Sequence, residues 1–409
     1  MFKNCIVAQS GGPTTVINSS LCGVIKAAME SSQIDRIYAA NYGIQGLMKG
    51  NIIDLTDVCM EEVDLLKCTP SSALGSCRYM LKSWEDSKEE YERIFRIFKE
   101  YEIGYFFYIG GNDSMDTVDK LSGYAAHINS EVRIMGVPKT IDNDLYGTDH
   151  TPGFGSAAKY IAASIMEIAR DGATYDKPVV NIIEVMGRNA GWLAAASVLA
   201  KKDVIGAPDL IYLPERKFSI EKFVSDVEKC RRQKNQITVV VSEGIKDSNG
   251  IYIAEYNSGK EVDAFGHIKM GGVAAILGDA VNDIIPGARV KTIELNVLQR
   301  CAMHFASGTD VEEACRCGYD AVKYALKGET GKMVILKRIS DKPYICSTGI
   351  MPVSEAANRE KKVPLSWITP DGNFVTQEAM DYIQPLVMGE VNIRTEDGLP
   401  RYSRISPII

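Results

Sequence analysis

The sequence predicts an α/β protein built on parallel sheets. Short apolar runs alternate with longer segments of helical periodicity, which is the pattern of strands joined by crossover helices. The alternation occurs in both halves of the chain. Glycines and polar residues collect directly after the apolar runs, and in an open α/β sheet ligands bind beyond the carboxyl ends of the strands.

The first half of the chain contains three predicted strands. The apolar runs 4–8, 105–109 and 132–137 have the length and the aromatic or β-branched content of buried strands. A helix is expected over 14–31, directly after the first strand. Another is expected over 85–100, because its apolar residues recur on one helical face.

The second half repeats this pattern. Strands are predicted over 179–185 and 237–241, and helices over 156–170 and 189–200. The Gly/Thr/Pro-rich stretch 147–155 contains several turn signals. We expect it to mark the boundary between the two halves.

Composition and charge exclude several classes of protein. The chain has 409 residues, 45% of them hydrophobic, and its 46 basic and 53 acidic residues give a net charge of −7. We therefore expect a sizeable core and no nucleic-acid partner. No apolar run reaches 18 residues and the first residues lead straight into a strand, so no membrane span, no signal peptide and a cytoplasmic location are expected. The ten scattered cysteines, of which only Cys315 and Cys317 lie close together, and the four histidines show no metal-binding spacing.

Gly11 and Gly12 lie between the first predicted strand and the helix that follows it. Glycines at this place let a ligand approach the backbone closely, and the helix N-terminus presents unpaired amides to an anion. The motif indicates a phosphate site, but an ordinary tight turn explains the same residues. Because neither Gly-x-Gly-x-x-Gly nor Gly-Lys-Ser/Thr is present, both interpretations stay open.

A second motif follows the run 105–109, where Gly110 and Gly111 precede Asn112 and Asp113. Oxygen ligands of this kind suit magnesium, which keeps several waters and bridges to substrate phosphates. The alternative is that these polar residues cap the following helix. The motif by itself does not decide between a metal site and a cap.

The segment 136–144 is the richest in chemical groups, because Lys139 precedes Asp142 and Asp144. In an extended chain the two carboxylates share one face, and they resist joint ionisation unless a cation stabilises them. A carboxylate base beside a lysine suits the removal of a hydroxyl proton and the stabilisation of phosphoryl charge. A polar turn is the alternative, and the functional interpretation is favoured.

In order along the chain, the motifs resemble the phosphofructokinase family, and its pyrophosphate-dependent branch more than its ATP-dependent one. The matching segments are Gly11-Gly12-Pro13-Thr14, Leu74-Gly75-Ser76-Cys77-Arg78, Gly110-Gly111-Asn112-Asp113-Ser114, Pro138-Lys139-Thr140-Ile141-Asp142-Asn143-Asp144, Gly147-Thr148-Asp149-His150-Thr151, Met186-Gly187-Arg188, Ser242-Glu243-Gly244 and Leu298-Gln299-Arg300. The resemblance implies phosphoryl transfer from pyrophosphate to the 1-hydroxyl of fructose 6-phosphate, giving fructose 1,6-bisphosphate and phosphate. It also implies a reversible step of glycolysis and gluconeogenesis, catalysed by a homodimer or homotetramer.

The resemblance further implies two Rossmann-like, three-layer lobes with the active site in the cleft between them, plus a C-terminal extension. Residues 1–150 are expected to form the N-terminal lobe, on the side of pyrophosphate and magnesium. Residues 151–296 are expected to form the second lobe, on the fructose 6-phosphate side. Residues 297–409 are expected to be a return segment and the C-terminal extension, which wraps on the body.

Roles for single residues also follow from the resemblance. Asp142 corresponds to the family's proton-accepting base, and the further catalytic residues are expected to be Lys139, Asp113 and Arg188. The expected sugar-phosphate contacts are Thr140, Ile141, Asp142, Met186, Gly187, Arg188, Glu243 and Arg300. The expected donor contacts are Gly11, Gly12, Arg78 and Asp113, and the expected ligands of Mg²⁺ are Asn112, Asp113 and Asp144.

Two positions indicate the phosphoryl donor. Asp113 stands where ATP-using relatives generally have glycine, and its carboxylate would repel and obstruct the α-phosphate of a nucleotide. Lys139 also stands where those relatives have glycine, and its charge would stabilise the leaving phosphate. An ATP-dependent phosphofructokinase is the alternative that these two residues disfavour.

Other features leave alternatives open. Asn112 replaces the metal-binding Asp of much of the family, and Lys291 stands where an Arg reaches a neighbouring subunit's site. A kinase for a dinucleotide or a lipid, built on a Gly-Gly-Asp-type loop, is disfavoured by the motifs around Arg188, Glu243 and Arg300. A catalytically silent regulatory subunit is disfavoured because Asp142 is retained.

Overall fold

The computed structural model describes residues 2–256, 272–285 and 287–405, so His267 lies outside the described residues. The chain divides into two compact units. Unit 1 takes the described part of Met1–Ser156, Arg300–Glu360 and Gly389–Ile409. Unit 2 takes the described part of Ala157–Gln299 and Lys361–Met388.

Strands and helices alternate along most of the described chain. The strands are β1 (Asn4–Gln9), β2 (Ile37–Ala40), β3 (Ile52–Asp54), β4 (Ile103–Gly110), β5 (Arg133–Pro138), β6 (Val179–Val185), β7 (Leu210–Tyr212), β8 (Gln236–Ser242), β9 (Arg289–Glu294), β10 (Lys332–Asp341), β11 (Tyr344–Pro352), β12 (Thr395–Glu396) and β13 (Leu399–Pro400). The helices are α1 (Ile17–Met29), α2 (Gly43–Met48), α3 (Met60–Leu65), α4 (Lys88–Glu100), α5 (Asn112–His127), α6 (Phe154–Gly172), α7 (Trp192–Ala196), α8 (Ile220–Arg231), α9 (Val273–Asn282), α10 (Gly308–Leu326), α11 (Val353–Ala356) and α12 (Gln377–Ile383).

Unit 1 is a three-layer α/β sandwich. Its seven-stranded sheet has the order β11-β10-β5-β4-β1-β2-β3, parallel except at the β10–β11 and β2–β3 pairs. β1 and β4 are central and every residue in them is buried, which explains their nearly continuous apolar sequences. One apolar core cluster lies between the sheet and helices α1 and α10, and a second lies between the sheet and helices that include α4 and α5.

The helices α1 and α10 cross at very close range. A Cβ atom built on Gly23 of α1 would lie 1.9 Å from the carbonyl oxygen of Cys315, and one on Gly318 of α10 would lie 1.9 Å from that of Ser20. Only glycine fits at either position, because the two backbones are in contact there. The crossing fixes α1, the helix that follows the Gly11–Gly12 turn, against the C-terminal half of the chain.

Unit 2 is built on a smaller sheet of four parallel strands in the order β7-β8-β6-β9. Aliphatic and aromatic residues of its strands pack against α8 and α9, with Phe223 and Leu277 fully buried. Since β6, β7 and β8 are covered, they too are largely apolar, whereas the edge strand β9 is largely exposed and polar. None of the helices in the described part of the chain is both long enough and apolar enough to span a membrane.

The α/β fold class and all five predicted strands are confirmed, with boundaries that differ by at most two residues. The helix expected over 189–200 is shorter, because α7 ends at Ala196 and a 3-10 helix continues over Ser197–Lys202. The segment expected as an extension, 297–409, is shared by the two units. Its β10–β11 hairpin completes one edge of the unit 1 sheet, since β10 pairs in parallel with β5.

Candidate active site

Three of the predicted motifs follow neighbouring strands of the unit 1 sheet. Gly11 follows β1, Asn112 follows β4 and Lys139 follows β5, and these three parallel strands lie side by side. The carboxyl ends of adjacent parallel strands meet at one edge of a sheet, where ligands bind in α/β proteins. The topology therefore brings the Gly-Gly turn, the amide–carboxylate motif and the lysine–aspartate segment together.

The turn after β1 is held by contacts within the chain. Gly11 has a φ of +76°, which favours glycine. The Gly11 N–H donates to the carbonyl oxygen of Cys77 at 3.1 Å, and the Gly11 carbonyl oxygen accepts a hydrogen bond of 2.5 Å from the Ser76 hydroxyl. The Gly11 N–H is therefore used within the chain, and what Gly11 offers a ligand here is the turn and the absence of a side chain.

Lys139 is buried beside this turn, and its ammonium group contacts the backbone of the turn. The side chain is 3% exposed, and Nζ donates a hydrogen bond of 2.6 Å to the carbonyl oxygen of Gly12. A Cβ atom on Gly11 would lie 3.4 Å from Nζ. Burial lowers the pKa of Lys139 to about 8, an effect that Asp142 and Asp144 oppose and Arg300 and Arg78 reinforce.

The loop after Lys139 is pinned by hydrogen bonds to the following segment. The Thr140 N–H donates to the carbonyl oxygen of Pro152 at 3.1 Å, and Asn143, with a φ of +53°, accepts from the Thr151 N–H through Oδ1 at 3.0 Å. The Asp142 N–H donates to the Thr140 hydroxyl at 3.1 Å. The polar turn that the sequence offered as an alternative is thus present, and it positions the carboxylate of Asp142.

Asp144 lies beside Asn112, which begins α5. The Asn112 amide Nδ2 donates to Asp144 Oδ2 at 3.3 Å, whereas Asn112 Oδ1 is buried and has no hydrogen-bond partner among the residues that the structure describes. Burial, with the charges of Asp142 and Glu360, raises the pKa of Asp144 to about 7. An unpaired buried amide oxygen next to a carboxylate with a raised pKa is an arrangement that a bound cation would satisfy.

Asp113 occupies the first turn of α5 and is exposed. A negative charge is favourable at a helix N-terminus, so Asp113 stabilises the start of α5 through its charge, as the capping alternative requires. Neither Asp113 nor Ser114 caps the helix through its side chain, because the N-cap residue is Gly111 and it makes no side-chain bond. The Ser114 hydroxyl instead donates to that of Ser10, at 2.9 Å.

Two arginines add positive charge to the same region. A Cβ atom on Gly12 would lie 3.4 Å from Nη1 of Arg300, so the guanidinium group is next to the Gly11–Gly12 turn. Arg300 and Arg78 are both close enough to Lys139 to help lower its pKa. Three cationic side chains therefore converge where the sequence predicts a phosphate site, and this convergence favours an anionic ligand.

Unit 2 brings together a second set of the predicted residues. Gly187, at the end of β6, donates its N–H to Glu243 Oε1 at 3.3 Å and accepts a bond of 2.5 Å from the Ser242 hydroxyl at its carbonyl. Its φ of +134° and the Ala190 carbonyl, 2.7 Å from a Cβ built there, require glycine. The Nε of Arg188 is buried and has no hydrogen-bond partner in the described part of the chain. A buried, unpaired guanidinium nitrogen is typical of an arginine that binds an anionic ligand.

Three residues near the predicted motifs were given no role from the sequence: Gln299, Glu360 and Thr14. The fully buried Gln299 accepts a hydrogen bond from the Met186 N–H at 3.1 Å and so positions the segment that contains Arg188. Glu360 contributes to the raised pKa of Asp144. Thr14 has a buried hydroxyl without a partner just after the Gly11–Gly12 turn. Only Gln299 and Thr14 stood in a recognisable motif; nothing local in the sequence marks Glu360.

Comparison with known proteins defines the class to which this fold and these motifs belong. The family model for phosphofructokinase matches residues 4–324. The chain belongs to the phosphofructokinase family.

Relatives with a known designation match most or nearly all of its length. The chain is 41% identical to the pyrophosphate--fructose 6-phosphate 1-phosphotransferase of Halomonas elongata, over 98% of this chain and 96% of that protein. It is 33% identical to a sulfofructose kinase of Alkalicoccus urumqiensis, over 81% of this chain and 83% of that protein. The pyrophosphate-dependent phosphofructokinase of Nitrosospira multiformis superimposes with a TM-score of 0.89 at 41% identity, over 98% and 96% of the two chains.

Proposed function

We propose that this protein transfers a phosphoryl group from pyrophosphate to the 1-hydroxyl of fructose 6-phosphate, in a reaction that runs in both directions. Full-length similarity to proteins of that designation supports the proposal. The structural observation that carries it is the buried ammonium group of Lys139 on the Gly12 carbonyl. ATP-using relatives generally have glycine at this position, and a glycine would leave the region without that charge.

Asp142 is proposed as the general base. Its backbone is fixed by Thr140, and Lys139 is near enough for the two charges to interact. Asp142 would take the proton from the sugar hydroxyl while the hydroxyl oxygen attacks phosphorus in line. Lys139 and Arg188 would stabilise the charge on the transferred and leaving phosphoryl groups. Positioning and electrostatics account for such a reaction without a covalent intermediate.

The remaining side chains are proposed as substrate contacts. For fructose 6-phosphate these are Thr140, Ile141, Met186, Gly187, Glu243 and Arg300, and for pyrophosphate they are Gly11, Gly12, Arg78 and Asp113. Arg300 is next to Gly12, so the guanidinium group of Arg300 also lies close to the proposed donor side of unit 1. A guanidinium group can bind phosphate oxygens through two parallel hydrogen bonds.

The residues of unit 1 fit a magnesium ion. Asn112 Oδ1 lacks a partner, Asp144 has a raised pKa beside it, and Asp113 is the next residue along the helix. These three oxygen donors match the preference of Mg²⁺, which coordinates carboxylates, carbonyl oxygens and water. When bound, magnesium would neutralise charge on the pyrophosphate. Replacement of the family's Asp by Asn112 lowers the ligand charge by one, so Asp144 would carry more of the binding.

Asp113 is proposed to exclude nucleotides. Its exposed carboxylate lies at the N-terminus of α5. The α-phosphate of ATP would meet a like charge and a larger side chain there, whereas pyrophosphate has no third phosphate to bring to that point. Like charges forced together across an interface can cost several kcal/mol. A cytoplasmic location and a homodimeric or homotetrameric assembly are further parts of the proposal.

Steady-state kinetics of the purified chain with each donor test the proposal. With fructose 6-phosphate and magnesium present, we expect turnover with pyrophosphate and little or none with ATP at equal concentration. The reverse reaction, from fructose 1,6-bisphosphate and phosphate, should be measurable in the same preparation. Robust use of ATP by the unmodified enzyme would contradict the proposed donor, and no turnover with either donor would favour a regulatory subunit.

A further inference from the structure

Cys22 and Cys315 lie next to each other although 293 positions separate them in the sequence. Cys22 is on α1 and fully buried, and Cys315 is on α10 and half-buried. The two thiols are close enough to interact, and Cys315 packs against the apolar cluster that contains Cys22. The contact sits at the crossing of α1 and α10, where the carbonyl oxygen of Cys315 lies directly over Gly23.

The helix crossing has the close approach that a disulfide needs. A disulfide forms only when the two Cα atoms are about 4.4–6.8 Å apart, whereas packed helices usually have axes 8–10 Å apart. At this crossing the glycines Gly23 and Gly318 remove the side chains that would hold the helices apart. The two helix backbones are therefore in contact beside the position where a Cys22–Cys315 disulfide would form.

Two lysines, each paired with a carboxylate, lie near the cysteine pair. Lys67 lies near Cys315 and pairs with Glu312, one turn earlier on α10, at 3.0 Å. Lys26, one turn after Cys22 on α1, pairs with Asp64. The interaction with Cys22 and the charges of Lys67 and Lys26 lower the pKa of Cys315 against the opposing effects of burial and Glu312, while the pKa of Cys22 is raised. A thiolate next to lysines and partly open to solvent is typical of a reactive cysteine.

We propose that Cys315 and Cys22 form a redox-sensitive pair, in which a hydroperoxide oxidises Cys315 and Cys22 then closes a disulfide between α10 and α1. In the first step the Cys315 thiolate attacks the peroxide oxygen, giving a sulfenic acid and releasing the other oxygen as hydroxide or alkoxide. In the second step the Cys22 sulphur displaces the hydroxyl group, which leaves as water with the thiol proton. A small thiol reductant reverses the reaction by thiol–disulfide exchange.

The pairing differs from the one that sequence proximity suggests. Cys317 is two residues from Cys315, but positions two apart on a helix face in different directions. Cys317 is fully buried, and burial raises its pKa far above the ordinary value. Cys346 interacts electrostatically with Cys317. Burial raises the pKa of Cys346 to about 12. These two thiols are therefore expected to stay inert under the same conditions.

Peptide mapping after graded oxidation tests the pair. The full-length protein would be treated with hydrogen peroxide, its free thiols alkylated, and the digest examined by mass spectrometry. We expect a cross-linked peptide pair that contains Cys22 and Cys315, lost again after treatment with dithiothreitol. Cys22→Ser should instead leave Cys315 as a sulfenic acid that dimedone traps, and Cys315→Ser should abolish both products at this site.

Cys59→Ser is the matched control, because Cys59 is an exposed cysteine distant from this pair in the chain and outside its interactions. It should leave the amount of cross-link unchanged. Linkage of Cys315 to Cys317, oxidation of Cys59 faster than that of Cys315, or the absence of any Cys22–Cys315 peptide in a folded preparation would each overturn the proposal. Neither cysteine is assigned a part in phosphoryl transfer, so both serine variants should keep the basal activity of the reduced enzyme.

Discussion

The ammonium group of Lys139 donates a hydrogen bond of 2.6 Å to the carbonyl oxygen of Gly12, which joins the end of β5 to the turn after β1. The bond fixes the lysine at the edge of the sheet where the proposed donor binds. It also leaves the positive charge buried beside Asp142 and Asp144, so the charge can act on phosphoryl oxygens in a site of low dielectric constant. The predictions below test what this charge and its neighbours contribute.

Replacing Lys139 by methionine removes the charge and keeps a side chain of similar length. We expect turnover with pyrophosphate to fall by about 10²–10³, the usual effect of losing one group that stabilises transition-state charge. Thermal unfolding of the same variant provides the control for folding. Because removing a buried charge and leaving an apolar side chain is often neutral or stabilising, a large loss of stability would show that the lysine acts through the fold.

The pH dependence of catalysis should report the pKa of Lys139, about 8 in the free protein. Its charge is present below that pH and lost above it, so kcat/KM with pyrophosphate should decline as pH rises through about 8. Asp142 and Asp144 raise this pKa, and Arg300 and Arg78 lower it, so Arg300→Ala should move the decline to higher pH. A decline that persists unchanged in Lys139→Met would assign it to another group.

The stability of the protein should also depend on Lys139. Its folded pKa lies below its ordinary value of 10.5, so between about 8 and 10.5 the unfolded chain binds more protons than the folded one. The contribution of Lys139 to the free energy of unfolding should therefore increase with pH across that window. Chemical denaturation of wild type and Lys139→Met at several pH values measures it, and a difference that does not change with pH would refute the shifted pKa.

Asp142→Asn keeps the shape of the proposed base but cannot accept a proton. We expect turnover to fall by about 10²–10⁴, the usual contribution of a positioned general base, while fructose 6-phosphate still binds. Isothermal titration with the sugar phosphate separates binding from chemistry. A variant that keeps more than about a tenth of the wild-type turnover at saturating substrate would be inconsistent with the role.

Asp113→Gly tests donor choice. Removing the carboxylate should let ATP act as a measurable, though poor, donor, because the like-charge cost of several kcal/mol is removed while nothing is added to hold adenine. Pyrophosphate use should not improve. Asp116→Gly on the same helix is a control for loss of a carboxylate alone, since Asp116 pairs with Lys120 at 2.6 Å. If Asp113→Gly uses ATP no better than its parent, steric and charge exclusion by Asp113 is wrong.

The sequence by itself determined the fold class and pointed to the groups that are proposed to react. Central strands covered on both faces are mostly apolar, so β1, β4 and β6 were visible as nearly continuous apolar runs. The edge strand β3, with no fully buried residue, and the largely exposed β9 carry no such pattern and were missed. The residues of the Gly-Gly turn and of the Lys139–Asp144 segment stood in short local motifs, which is why they could be named without a structure.

Tertiary structure alone decided which groups are neighbours and what charge they carry. The pKa of Lys139 depends on burial and on the charge of Arg300, and the pKa of Asp144 depends on burial and on the charge of Glu360. Arg300 and Glu360 belong to unit 1 because the chain returns to that unit at residue 300. The pairing of Cys22 with Cys315 depends on a helix crossing. Electrostatic interaction and burial act through space over a few ångströms, whereas sequence patterns record only local periodicity, so contacts between distant segments leave no signal in a single sequence.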